Sequence, residues 1–185
     1  GSGLEAKSRV HDRLKLNGTG ISLVSRSWLW KAEAAQVSGF RFYGTDQEYE
    51  RQDLMFGIEY AGISDASLGF EISRRSYLDF DSILENPPNN ADEHVVQSAF
   101  NYRQDFWNQT LQLNSFALIL GESWNKGTTA RISLEYDWFD AFSVGGGWVV
   151  YQKGSDSEYS SSTSLAFAKQ ISRNDRIFLE TAYSF

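Results

Sequence analysis

The sequence predicts an all-β protein, an antiparallel up-and-down β-barrel of about ten strands, although about eight or about twelve strands also fit the pattern. Two observations predict this class. Many segments alternate apolar and polar side chains, and the side chains of a strand change face at every residue. The connections between these segments alternate between tight turns rich in Asp and Asn and longer loops, which is the rhythm of successive hairpins.

The strands differ in how clearly they alternate. In the clearest, 128–139, Leu134 and Tyr136 share one face and Ser133 and Glu135 the other. The stretch 28–35 could extend either neighbouring strand or form a short helix. Phe116, Leu118 and Leu120 blur the alternation of the sixth strand. In chain order, the predicted strands are roughly 13–24, 37–44, 54–61, 68–73, 96–103, 111–120, 128–139, 141–153, 159–171 and 176–185.

The connections predict one tight end and one looser end of the barrel. Tight turns are expected near Ser64–Asp65, 105–108, Asp140 and 173–175, and longer connections near 45–52, 80–93, 121–127 and 153–158. Both prolines and several acidic residues lie within 81–93, but the acids lack the spacing of a calcium-binding loop. We expect a solvated loop there. Gly145, Gly146 and Gly147 lie inside a strand, where they indicate a bend or close packing.

Bulk composition narrows the function. Acidic residues outnumber basic ones, 24 to 17, for a net charge of −7, so nucleic acid is not an expected partner. There is no cysteine, which excludes disulfides and thiol chemistry. No stretch approaches the roughly 18 apolar residues of a membrane-spanning helix, but a transmembrane barrel needs only alternate apolar residues. We expect residues 1–10 to be a flexible leader opening with a Gly-Ser-Gly cloning scar, and 11–185 to be a single barrel domain.

Aromatic residues favour a barrel that crosses a membrane. They gather near strand ends, where tyrosine and tryptophan suit the interface between lipid and water. The opposite face carries many Gly, Ala and Ser residues, which suit a crowded lumen. A soluble lipocalin-like barrel, with its apolar face inward, would also alternate and stays open as an alternative. The residues of the expected lipid-facing girdle are Tyr60, Tyr102, Tyr136, Trp138, Tyr183 and Phe185.

The last strand resembles the closing strand of Gram-negative outer-membrane β-barrels, which carries aromatic or apolar residues at its last, third-last and fifth-last positions. Phe185 and Tyr183 match, Thr181 matches more weakly, and Glu180 stands where the family usually has glycine. The stretch from Gly57 to Arg75, together with residues 103–106, also resembles proteobacterial outer-membrane barrels of unknown function. The resemblance implies a place in the cell outer membrane of a Gram-negative bacterium. It implies contact with lipid and lipopolysaccharide, and recognition of the terminal strand by the barrel assembly machinery.

Charged side chains of the polar face would point into the lumen. In a low-dielectric interior they must pair, and the cations among them are all arginines, whose planar fork suits carboxylates. We expect a lumen largely filled by side chains and a structural or interaction role, as an anchor or assembly component. A narrow, porin-like passive pore for small solutes is the alternative. The lumen cluster is Glu59, Glu71, Arg75, Arg103, Arg131, Glu135, Asp137, Arg176 and Glu180.

Catalysis is not expected. An outer-membrane hydrolase would need a histidine and a serine side by side on the lipid-facing side. His94 and Ser98 share a face, but four residues along a strand separate them by about 13 Å. We therefore predict no catalytic residues, no cofactor and no metal site.

Overall fold

The computed structural model describes residues 13–122, 125–139, 141–155 and 174–183, and the strands among them form one antiparallel sheet. Each strand pairs with its neighbours in chain order, so the all-β, antiparallel prediction is confirmed. The nine described strands are β1 (Lys15–Ser25), β2 (Trp28–Phe40), β3 (Tyr49–Ile63), β4 (Ala66–Leu78), β5 (His94–Phe106), β6 (Leu111–Leu120), β7 (Gly127–Phe139), β8 (Phe142–Lys153) and β9 (Arg176–Tyr183).

The described sheet is open, which corrects the expectation of a closed barrel. Its two edges are β1 and β9, which do not pair with each other. The strand predicted over 159–171 lies outside the described residues. Because β8 pairs directly with β9, no other strand separates these two in the sheet. Among the described residues, no helix is long and apolar enough to cross a membrane.

The second strand was misplaced by sequence reasoning. It was predicted over 37–44, but β2 begins at Trp28 and ends at Phe40, and 41–48 is a connection. Ala32, Ala34 and Ala35 fall on both faces of β2 and flatten its alternation. The aromatic residues around Phe42 gave a false strand pattern, because they pack within a loop instead.

The register of all eight strand pairs places most of the large apolar side chains on one face, named here the apolar face. The opposite face is named the polar face. For example, Ile58 pairs with Phe70, and Phe70 pairs with Phe100, all on the apolar face. The prominent side chains of this face are 37% to 85% exposed: Ile21, Leu23, Trp30, Phe56, Phe70, Ile72, Phe100, Ile132, Leu134, Trp148, Ile177 and Leu179.

The two edges formed by strand ends also differ. The hairpin connections at 26–27, 64–65 and 107–110 are tight, and β7 and β8 are joined equally closely around 140, a residue outside those described. This side is named the tight-turn edge. The opposite side, with connections 41–48 and 79–93 and the described residues of 121–126, is named the long-loop edge. The alternation of tight and long connections predicted from the sequence is thus confirmed from β1 to β8; most of the chain between β8 and β9 lies outside the described residues.

Two of the long connections fold together into what we name the loop cap, residues 41–48 and 79–93. The Tyr43 backbone N–H donates to Asn89 Oδ1 at 2.9 Å, and Asn89 Nδ2 donates to the Tyr43 carbonyl at 3.0 Å. A short 3₁₀ helix, Ser82–Glu85, begins after Asp81, whose carboxylate accepts from the Ile83 N–H at 3.0 Å. Most of residues 81–93 are exposed, as expected for a solvated loop, and these bonds give the loop a defined fold.

The loop cap and the adjoining strand ends hold the best-buried side chains. Leu84 is fully buried and Tyr49 nearly so, and with Val149 they are the buried apolar residues of the described chain. Five aromatic rings of this region, that of Tyr49 among them, pack on one another with neighbouring centroids 5.1 to 6.3 Å apart, the distance of favourable ring contacts. These rings are Phe40, Phe42, Tyr49, Tyr77 and Phe80.

Candidate functional site on the polar face

All nine residues of the predicted lumen cluster lie at polar-face positions. The register links them from strand to strand: Glu71 pairs with Gly57, Arg103 with Asn114, and Glu180 with Gly145. Sequence alternation therefore assigned their face correctly. Their ion-pair partners are not always their register neighbours, because long side chains reach diagonally and across small residues.

A lysine that the sequence analysis missed belongs to the polar face. Lys31 of β2 forms a close ion pair with Glu59 of β3. Gly57 lies opposite both Lys31 and Glu71, and a Cβ added there would stand 3.2 Å from Glu71 Cγ and 3.6 Å from Lys31 Cβ. The absence of a side chain at Gly57 therefore lets these two chains extend beside it. The statement that all cations of this face are arginines was wrong, because β2 had not been recognised as a strand.

Asp53 is a second missed member. Its carboxylate accepts from Arg75 Nε at 2.8 Å and pairs with an Arg51 guanidinium nitrogen at 2.8 Å. Asp53 is the direct neighbour of Arg75 on β3. Asp53 and Arg75 occupy matching polar-face positions, a pairing that only the register reveals.

Arg131 bridges from β7 to β9. Its guanidinium lies 3.7 Å from Glu180 Oε1, and its Cζ lies 4.5 Å from the centre of the Phe178 ring, within cation–π range. Strand β8 separates these residues but presents Gly145 and Gly147 between them.

The remaining cluster members make local contacts, or form no ion pair among the described residues. Glu135 accepts from Ser143 Oγ at 3.3 Å, on the neighbouring strand. Arg103 pairs with Asp105, two residues along its own strand, at 3.2 Å. Among the described residues, no ion pair involves Asp137 or Arg176.

The ion pairs of the polar face are only partly buried in the described sheet. The side chains of Arg131 and Glu180 are 48% and 61% exposed. Water screens such pairs, and exposed pairs typically contribute about 0 to 1 kcal/mol. In the described sheet the charges of the polar face are therefore bordered by open space.

Two cavities occupy this open space. One, of about 550 Å³, is lined from β1 to β5 by residues that include Gly20, Glu33, Asp53 and Arg75. The other, of about 490 Å³, is lined by β4 to β7 and β9. A third, of about 500 Å³, lies on the apolar face and is lined by β1 to β4.

The predicted girdle lies along one edge of the apolar face. Tyr60, Tyr102, Tyr136 and Tyr183 all occupy apolar-face positions near the tight-turn edge. Trp138 falls in a register shift between Asp137 and Phe139, and Phe185 lies outside the described residues.

Trp28 extends this belt, although sequence analysis did not assign it. It pairs with Tyr60, and their ring centres are 4.3 Å apart. A tryptophan at a strand end is itself a sign of an interfacial position. Trp28 was missed because the stretch 28–35 was not assigned to a strand.

The part of the chain that the structure describes contains no other cluster of side chains suited to catalysis or metal binding. There, no group of three or more His, Cys, Asp or Glu residues is placed to hold a metal ion. His94 and Ser98 share the apolar face four positions apart, and His94 Nε2 lies 3.6 Å from Glu93 Oε1. No protein-family model and no curated protein matches the sequence.

Proposed function

We propose that this protein is an integral outer-membrane β-barrel component whose apolar face contacts lipid and whose polar face surrounds an aqueous interior. Its role is structural or interactive, as an anchor or assembly component. The observation that carries this proposal is the contrast between the two faces. One face carries a dozen large exposed apolar side chains, while the opposite face carries most of the charged side chains and the two cavities described above.

The energetics of the apolar face support lipid as its neighbour. Burying one Leu, Ile or Phe side chain contributes about 1.5 to 3 kcal/mol. A face of this size left in water would forfeit that contribution at a dozen positions. A single soluble protein rarely exposes so large a patch, whereas hydrocarbon satisfies it without any protein partner. A soluble lipocalin-like barrel fits less well, because its apolar face would line the interior.

The backbone is also compatible with lipid over most of the sheet. Every described strand except those at the edges is paired on both sides, so its N–H and C=O groups are satisfied by neighbours. The edges β1 and β9 would need partners within hydrocarbon, since open edges do not persist there. We propose that these edges are closed in the membrane, which completes a barrel.

Aromatic residues and connections support one orientation of this sheet. The tyrosines of the girdle, with Trp28, lie at the tight-turn edge, where an interfacial belt would lie. In outer-membrane barrels the short turns face the periplasm and the longer loops face outward. The proposed orientation therefore directs the loop cap toward the cell exterior, where lipopolysaccharide or a partner would meet it. The terminal strand would be the segment that the barrel assembly machinery recognises.

The loop cap supports an interaction role. It is folded and internally bonded, and Lys126 of a third connection pairs with its Asp92 at 2.6 Å. Tyr43 and Ile83 remain largely exposed on it. A rigid loop surface with exposed apolar side chains suits contact with another molecule better than free loops would.

A narrow passive pore is the second candidate. It is favoured by the partly exposed ion pairs and the two cavities on the polar face. Conductance of the refolded protein in a planar bilayer separates the two roles. A large, steady, ion-selective conductance would favour the pore, and its absence the anchor.

Membrane residence itself is testable on the whole protein. We expect it to require detergent for solubility, to float with lipid vesicles in a density gradient, and to migrate faster on a gel before boiling. A closed barrel without free edges resists SDS until heated. Monodisperse behaviour in plain buffer, together with no flotation, would contradict the proposal.

A further inference from the structure

We propose that the 490 Å³ cavity on the polar face, lined by β4 to β7 and β9, binds a neutral saccharide. The inference rests on the proposed function only in requiring that this face meets water. A cavity of this volume lies within the range of small-molecule sites, about 300 to 1,000 Å³.

An aromatic ring in a polar setting is the first observation. Phe116 occupies a polar-face position between Asn101 and Arg131, its register partners on β5 and β7. It is 44% exposed and lines the cavity. An exposed ring leaves a flat apolar surface in water. The C–H face of a sugar ring is a ligand surface that would cover it while keeping hydroxyl groups free at its rim.

The groups around the ring are suited to hydroxyls. Asn101, Asn114 and Ser133 line the same cavity. A side-chain amide offers both donors and acceptors, and a serine hydroxyl does the same. Sugar hydroxyls also donate and accept, so this set matches a polyol better than it matches an apolar ligand.

The charges argue for a neutral ligand. The cavity lining carries two cations, Arg103 and Arg131, and two anions, Glu135 and Glu180. Their formal charges cancel, so the site offers no net field that would concentrate an ion of either sign. Planar guanidinium and carboxylate groups still bond neutral hydroxyls, because each presents several donors or acceptors.

A second cavity of the polar face provides an internal contrast. It is slightly larger, at about 550 Å³, and also carries charges of both signs, but its lining contains no aromatic residue. Of these two cavities, only the one lined by Phe116 combines an aromatic ring, side-chain amides and balanced charge. Phe116 therefore carries the assignment.

The test is titration of the refolded whole protein in detergent micelles with maltose and with cellobiose, followed by isothermal calorimetry. We expect saturable binding of at least one disaccharide by the parent. Phe116→Ala should weaken it about threefold to tenfold, since an aromatic contact contributes on that scale. Phe116→Leu keeps an apolar side chain of similar bulk without the ring and should weaken binding comparably. Leu118→Ala is the matched control, because Leu118 lies on the same face of β6, outside the cavity lining.

Several results would overturn the proposal. They are the absence of saturable binding by the folded parent, equal effects of Phe116→Leu and Leu118→Ala, and tighter binding of citrate or choline than of either sugar. Gel heat-modifiability and vesicle flotation are scored on the same samples. A protein that floats but ignores sugars refutes this site alone, whereas one that binds sugar in plain buffer refutes membrane residence alone.

Discussion

Arg131 and Ile132 are adjacent in β7 and lie on opposite faces of the sheet, yet they are almost equally accessible. The Arg131 side chain is 48% exposed and Ile132 is 49% exposed. Among the described residues, neither face is covered by a second layer, so packing does not distinguish them. Their chemistry does, because one face is mainly apolar and the other carries most of the charges. Under the proposed function, this contrast places lipid on one side of the sheet and water on the other.

The largest expected effect comes from placing a charge on each face at neighbouring positions. Leu134→Arg should destabilise the protein in lipid vesicles by about 2 to 4 kcal/mol, because it puts a cation against hydrocarbon. Ser133→Arg should change stability much less, since that residue faces polar groups. Urea unfolding midpoints in vesicles measure both. Equal losses, or a larger loss for Ser133→Arg, would mean that the two faces are assigned in reverse.

A smaller effect is expected from filling the space beside β8. A Cβ at Gly147, on the polar face, would collide with the Ile132 carbonyl oxygen and lie 2.7 Å from Phe178 Cζ. Gly147→Ala should therefore cost about 1 to 3 kcal/mol through overpacking. Gly146→Ala is the control on the apolar face. Its nearest neighbour there is the Phe178 carbonyl oxygen, at 3.2 Å.

Gly146→Ala should be close to neutral, since alanine also restricts the unfolded chain. Denaturation midpoints of the two variants, measured side by side, decide the matter. If Gly146→Ala proved the more damaging change, the close approach of β9 residues over the polar face of β8 would be wrong.

The smallest effect is expected from the ion pair between β7 and β9. Arg131→Met should lower stability by at most about 1 kcal/mol, because the pair is half-exposed and screened by water. The difference from the parent should shrink further at high salt. Unfolding at about 0.1 and about 1 M salt tests both points. A loss of about 3 to 5 kcal/mol, insensitive to salt, would instead indicate a buried pair.

Alternation along the chain was sufficient to assign faces. Each cluster residue from Glu59 to Glu180 lies on the face that its position in the strand predicted, because the period of a strand is two wherever it is regular. Alternation failed in β2, where alanines on both faces remove the contrast. It also misled around Phe42, where loop aromatics imitate a strand.

Partners could not be predicted in the same way. The contact of Arg75 with Asp53 depends on the register between two strands, and the contact of Arg131 with Glu180 depends on glycines in the strand between them. The loop cap depends on contacts between residues far apart in sequence, such as Tyr43 and Asn89. Local patterns carry no information about such distances, so ion pairs and loop packing were the parts of the site that sequence reasoning missed.

The tryptophans along the apolar face would lie at different depths in a membrane, so their fluorescence could report depth. Trp28 is the first residue of β2, at the tight-turn edge. Trp148 lies six residues after Phe142, the first residue of β8. Six residues of a strand span about 20 Å, or about 14 Å of depth at a tilt near 45°. Lipids brominated near the headgroup should therefore quench Trp28 more, and those brominated deep in the acyl chain should quench Trp148 more. Single-tryptophan versions of the chain would thus report insertion depth as it develops during folding into a bilayer.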